Sequence, residues 1–119
     1  MYPGPAEAAA LLTRVQDRLR EEAFALPIVI VCPPVIALTT VRAMADRRLV
    51  RLGAQNCHWE PSGPHTGEIS PVMLAGLVEY VLIGHSERRR AGETDEQIAR
   101  KVATIVEHVT RADMARSGG

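Results

Sequence analysis

Three stretches of this 119-residue sequence place chemically useful side chains directly after short apolar runs. The most reactive is Gly84-His85-Ser86-Glu87, an imidazole followed by a hydroxyl and a carboxylate, with Arg88, Arg89 and Arg90 behind them. An imidazole is the side chain best suited to exchange a proton near neutral pH. If 86–90 turns into helix, its amides point toward His85 and favour the neutral ring, which can then donate to or accept from a carbonyl group. The other two stretches are Cys32-Pro33-Pro34 and Gly53-Ala54-Gln55-Asn56.

Other polar groups have plainer readings. Arg88, Arg89 and Arg90 could face phosphate or nucleic acid, but no aromatic residues interleave with them as a base-stacking platform needs. They read instead as ion pairs at a solvated helix start. His58 and His65 as a metal pair would need a third ligand from the same loop, and they read instead as loop polarity; Glu21 with Glu22 reads as helix surface. Cys32 and Cys57 fall outside any CxxC or CxxH pattern, so no zinc site and no disulfide scaffold is expected. Both suit a buried, small apolar role.

These groups need elements to hold them. Residues 5–24 read as a helix with Pro5 in its first turn and an apolar face of Leu11, Leu12, Val15 and Leu19. Ile28-Val29-Ile30-Val31 is a continuous apolar run, which suits a strand buried on both faces. A helix over 35–48, a strand over 50–53 and a long loop over 54–67 follow, and loops of that length are often functional. Ser70-Pro71 predicts a helix start, with the helix ending near 77. Residues 79–83 predict a third strand, and 84–93 a polar loop. Thr94-Asp95-Glu96-Gln97 fits a capping box opening a helix with Ile98, Val102, Ile105 and Val109. The expected fold class is α/β, with three parallel strands alternating with four helices.

Composition narrows the function. Hydrophobic residues make 46% of the chain and charged residues 24%, which is globular. Aromatics are only 3%, so the core must be aliphatic. The formal net charge of +0 gives no global field to attract nucleic acid or a membrane surface, and neither is expected as a partner. Thirteen Arg stand against the single Lys101, which reads as codon bias. The first residues show no basic, apolar leader, and no apolar stretch is long enough to span a bilayer, so a cytoplasmic location is expected.

The motifs together resemble one family. Tyr80-Val81-Leu82-Ile83-Gly84-His85-Ser86-Glu87-Arg88-Arg89 is similar to the signature of the triosephosphate isomerases. So are Gly53-Ala54-Gln55-Asn56 with His58-Trp59-Glu60, Thr66-Gly67-Glu68-Ile69-Ser70-Pro71, Cys32-Pro33-Pro34 and Gly92-Glu93-Thr94-Asp95-Glu96. The resemblance covers about residues 1–109, leaving 110–119 as an unmatched tail. It implies a partial (β/α)8 TIM barrel, strands two to four of eight. It also implies interconversion of dihydroxyacetone phosphate and glyceraldehyde 3-phosphate through an enediol(ate), as part of glycolysis and gluconeogenesis. His85 takes the electrophile's place, with Ser86, Glu87, Gln55 and Asn56 in support. Thr66 and Gly67 fall in the loop that reaches a second subunit of the family's homodimer. No cofactor and no metal is implied.

The departures are specific. The family's first strand ends in Asn-x-Lys-Met, and the similarity begins here as though Met1 were that methionine, so the substrate-binding lysine has no match. Lys101 resembles a structural lysine of the family. The base glutamate, lid and phosphate loops have no counterpart in 110–119. An in-frame Asn-x-Lys upstream and the family's next strand downstream in another frame are expected in the DNA. Leu77-Val78-Glu79 lacks the usual glycine, Arg90-Ala91 replaces a longer aromatic segment, and His65 replaces an aromatic at the loop tip. The alternative to an isomerase is a catalytically inactive fragment or assembly module.

Overall fold

The structure, a computed structural model, describes residues 4–22 and 27–117, with side chains through 108. The last two residues expected in the first helix and the side chain of Val109 lie outside that description. The chain divides into two compact units, 1–55 with 77–80 and 56–76 with 81–119.

The first unit opens with α1, Pro5–Glu21, with Pro5 in its first turn, Glu7 near the positive end of the dipole and Arg18 and Arg20 near the negative end. Its fully buried stripe is Ala8, Leu12 and Gln16, one row at i, i+4 and i+8. The expected apolar face is therefore rotated, and Leu11 is exposed. The reason is polar: Gln16 Nε2 donates to the Met44 carbonyl at 3.3 Å, and Gln16 Oε1 accepts from the Asp46 amide at 2.5 Å. One buried amide thus satisfies two backbone groups at the end of the next helix.

That helix is shorter than 35–48. A 3₁₀ turn at Val35–Ala37 leads into α2, Leu38–Met44. Asp46 then ends it, because its carboxylate accepts from the Arg48 amide at 3.0 Å and pairs with the Arg48 guanidinium at 3.1 Å. Such local side-chain bonds compete with helix continuation. The Arg48 hydrogen bonds hold the Asp46 carboxyl down at about 2.

Strands β1, Ile30–Val31, and β2, Arg51–Ala54, pair in parallel, Ile30 opposite Arg51 and Val31 opposite Leu52. With β3, Tyr80–Val81, they form a three-stranded parallel sheet in the order β1-β2-β3. The Glu79 amide donates to the Leu52 carbonyl at 2.9 Å. Val50 and Leu52 are buried, but Ile28 is 70% and Ile30 40% exposed. The burial on both faces expected for the run 28–31 is therefore not found: β1 is an edge strand, and the side chains of Ile28 and Ile30 are exposed. Gly53 is required by close approach: a Cβ there would stand 2.6 Å from Cys32 Sγ and 3.3 Å from the Tyr80 carbonyl oxygen.

The second unit carries α3, Pro71–Leu74, α4, Ser86–Arg90, and α5, Asp95–Ser117. Ser70 caps α3 as expected, its Oγ accepting from the Met73 amide at 3.2 Å, though the helix stops three residues short of 77. The Thr94–Gln97 capping box is reciprocal at 3.2 and 3.0 Å. The stretch read as a polar loop over 84–93 contains α4, a fifth helix beside the four expected, and α5 passes through 110 without a break. The loop before α3 is closed by the His58 amide donating to Ile69 at 2.8 Å, and α5 holds it through Thr104 Oγ1 donating to the Trp59 carbonyl at 2.6 Å.

Candidate active site

His85 follows β3 at a turn made by Gly84, whose φ of +72° suits a residue without a side chain. A Cβ there would also meet Ile98 Cδ1 at 3.1 Å. His85 is extended, at φ −53° and ψ 141°, and caps α4. Its carbonyl accepts from the Arg88 and Arg89 amides at 2.9 and 3.1 Å, and its ring Nδ1 accepts from the Glu87 amide at 3.1 Å. An Nδ1 that accepts carries no proton, so in this arrangement the ring hydrogen is on Nε2. The exposed ring then offers one neutral N–H donor, the group needed to polarise a carbonyl oxygen without itself bringing a full charge.

Helix α4 is fastened from both sides. Arg88 Nε donates to Glu93 Oε1 at 3.4 Å, Arg89 Nε to the Gly84 carbonyl at 3.2 Å, and Arg89 Nη1 to Asp95 Oδ1 at 2.7 Å. The ion-pair reading of Arg88 and Arg89 is the observed one. Beneath them lies a buried pair, Glu93 and Lys101, each side chain 3% exposed. Lys101 Nζ donates to Glu93 Oε1 and, at 2.9 Å, to Asn56 Oδ1. Burial pushes the Glu93 carboxyl up, but Lys101 and Arg88 outweigh it and hold the group below its ordinary value.

The expected site residues fall into four places. His85, Ser86 and Glu87 form the α4 start, Glu87 meeting the ring through its amide. Asn56 belongs to the Lys101 network. Gln55 lies in the first unit, its Nε2 donating to the Cys32 carbonyl at 3.0 Å. Thr66 and Gly67 are exposed in the long loop, Gly67 at φ +89°. In that loop the His58 ring packs against Trp59 and His65, with centroids 4.3 and 4.5 Å apart, and His58 Nδ1 is 3.7 Å from Glu68. Among the described residues no group of three His, Cys, Asp or Glu is placed to hold a metal ion. Burial raises both thiols, Cys57 to about 11, which keeps that thiol protonated at neutral pH and unsuited to nucleophilic attack.

Glu93 and Lys101 were not singled out by the sequence as part of the site. A signal was present: one lysine among thirteen arginines, four residues past the Thr94–Gln97 cap. A compact ammonium can satisfy two acceptors in a tight buried space where a planar guanidinium fits poorly.

Comparison with known proteins adds the relationship. The family model described as triosephosphate isomerase matches residues 1–112. A triosephosphate isomerase from Thermoanaerobacter sp. (strain X514) is 42% identical over 110 residues, 91% of this chain and 43% of the relative. One from Carboxydothermus hydrogenoformans is 45% identical over 104 residues, 86% of this chain and 41% of the relative. One from Gluconacetobacter diazotrophicus is 51% identical over 82 residues, 67% and 33%. The chain thus spans less than half the length of these curated relatives.

Proposed function

The chain belongs to the triosephosphate isomerase family, and on that premise we propose that it contributes to the interconversion of dihydroxyacetone phosphate and glyceraldehyde 3-phosphate through an enediol(ate), with His85 as the electrophile. The observation that carries this is the Glu87 amide donating to His85 Nδ1 at 3.1 Å. It supports an Nε2–H donor aimed at the substrate's carbonyl oxygen. As a base removes a proton from the adjacent carbon, negative charge grows on that oxygen, and a fixed donor stabilises the charge more than it stabilises the ground state. Keeping the ring neutral lets the same nitrogen give its hydrogen to one oxygen of the enediolate and take one from the other.

Ser86 and Glu87 would support this ring from the first turn of α4, and Gln55 and Asn56 would have the supporting roles that the family resemblance implies. Thr66 and Gly67, both exposed, would meet a second subunit in a homodimer. Residues 1–109 would supply the barrel stretch, with 110–119 beyond it. A role in glycolysis and gluconeogenesis and a cytoplasmic site follow from the same reading. No helix among the described residues is long and apolar enough to cross a membrane.

The second reading, an inactive fragment or assembly module, has one observation in its favour: the sole lysine, Lys101, is buried against Glu93 and so is not available to bind substrate. The 119 residues alone are therefore expected to show no turnover above a His85→Ala control. The test of the main reading is a graft in which residues 1–112 replace the corresponding stretch of the Thermoanaerobacter relative. A coupled assay should detect isomerase turnover by the graft. A folded graft without turnover contradicts the proposal.

A further inference from the structure

We propose that Glu93 is a positioning residue for His85: locked by Lys101, its carboxylate anchors Arg88, and through Arg88 the short helix that His85 caps. The proposal rests on reading His85 as the working imidazole of the site. A five-residue helix has too few internal hydrogen bonds to persist by itself. The bond from the Glu87 amide to His85 Nδ1 exists only while that first turn is formed. What holds α4 outside its own backbone therefore sets the ring's tautomer and direction.

Two carboxylates reach α4, and they are not equivalent. The Arg89–Asp95 pair is exposed, 50% and 90%, so water and salt screen it and its geometry is loosely enforced. Glu93 is buried, and it cannot swing away, because the same Oε1 is held by Lys101 while Lys101 is held in turn by Asn56. The Glu93 amide adds a bond to the Arg88 carbonyl at 3.0 Å, so residue 93 meets residue 88 through both backbone and side chain. Glu93 Oε2 is buried with no hydrogen-bond partner among the described residues. A carboxylate serving only to neutralise Lys101 would gain by turning that oxygen to a donor; this one is kept facing two cations on Oε1.

The ring nitrogens of His85 report the outcome without any need for turnover. In the ¹⁵N-labelled 119-residue chain at pH about 8, where an ordinary imidazole is neutral, wild type should show two widely separated ring shifts, Nδ1 bare and Nε2 protonated. His85→Gln assigns the signals among the four histidines. Arg88→Gln leaves the buried pair intact but cuts the tether, and the two shifts should collapse toward the averaged value of a free imidazole. The double variant Glu93→Gln/Lys101→Met removes both buried charges together, leaves no lone charge to unfold the chain, and should give the same collapse with helix content retained by circular dichroism. Asp95→Asn should leave the shifts unchanged. Shifts unaltered in Arg88→Gln overturn the proposal. So does a double variant whose His85 signals match wild type, the result expected if Glu93 only neutralises Lys101. A wild-type ring that already averages its tautomers overturns it as well. If the double variant fails to fold, Arg88→Gln decides alone. Failure of the isomerase reading would show as an inactive graft with these shifts intact.

Discussion

Gly53 in β2 and Cys32, the residue that follows β1, lie so close that a side chain on Gly53 would place its Cβ 2.6 Å from Cys32 Sγ. The contact fixes how tightly the two strands pair, and it explains a glycine in the one strand whose neighbours Leu52 and Ala54 are both buried.

Gly53→Ala is therefore expected to destabilise the chain by about 1–3 kcal/mol, the usual cost of overpacking. Cys32→Ala in the same background should recover part of that loss but not all, since the Tyr80 carbonyl oxygen would still stand 3.3 Å from the new methyl. Urea titrations of the two single variants and the double, at one protein concentration, measure the coupling. Simple additivity would show that the contact is not felt.

Asp46 gives a pH dependence of defined sign. Its carboxyl falls from an ordinary 3.8 to about 2 in the folded chain, chiefly through the side-chain hydrogen bond with Arg48. A depressed folded-state value means stability that is present above 3.8 and lost as pH falls toward about 2. The stability difference between wild type and Asp46→Asn should be constant from pH 7 to 5, then shrink through that acid window. A difference that grows on acidification contradicts the assignment.

Much of the fold was legible where a side chain bonds to backbone a few residues away. Ser70 with Pro71 and Thr94 with Gln97 set their helix starts within the sequence itself. The parallel strands were legible from apolar runs between helical segments. Partners far along the chain were not. Gln16 is buried because Met44 and Asp46 need its amide, 28 and 30 residues away. Helix α2 stops early because Asp46 turns back on Arg48, a choice that its charged spelling, equally at home on a helix surface, does not announce. In the site, His85 stood out by its neighbours in sequence. Lys101 did not, because its acceptors Asn56 and Glu93 come from other segments and its rarity read as base composition.

The exposed apolar side chains predict association. Ile28, Ile30, Tyr80 and Leu82 are all exposed, and β1 and β3 are the edges of the sheet. Burying one such aliphatic side chain is worth roughly 1.5–3 kcal/mol, and open edges invite pairing. The 119-residue chain should show a light-scattering mass above that of the monomer, rising with concentration, and should bind an apolar dye. Charged substitutions at Ile28 and Ile30 should lower both. A monodisperse monomer that binds no dye would mean that these side chains are covered in solution.

The central claim is that His85 stabilises charge on the substrate oxygen, and the kinetics of a single substitution test it most directly. In the graft carrying residues 1–112, His85→Gln keeps a polar side chain at the α4 cap but removes the imidazole that donates through Nε2 and exchanges its hydrogen. A positioned group of this kind contributes about 10²–10⁴ in rate, so kcat should fall by that factor with KM changed far less. A His85→Gln graft whose kcat stays within a few-fold of the unsubstituted graft would contradict the account.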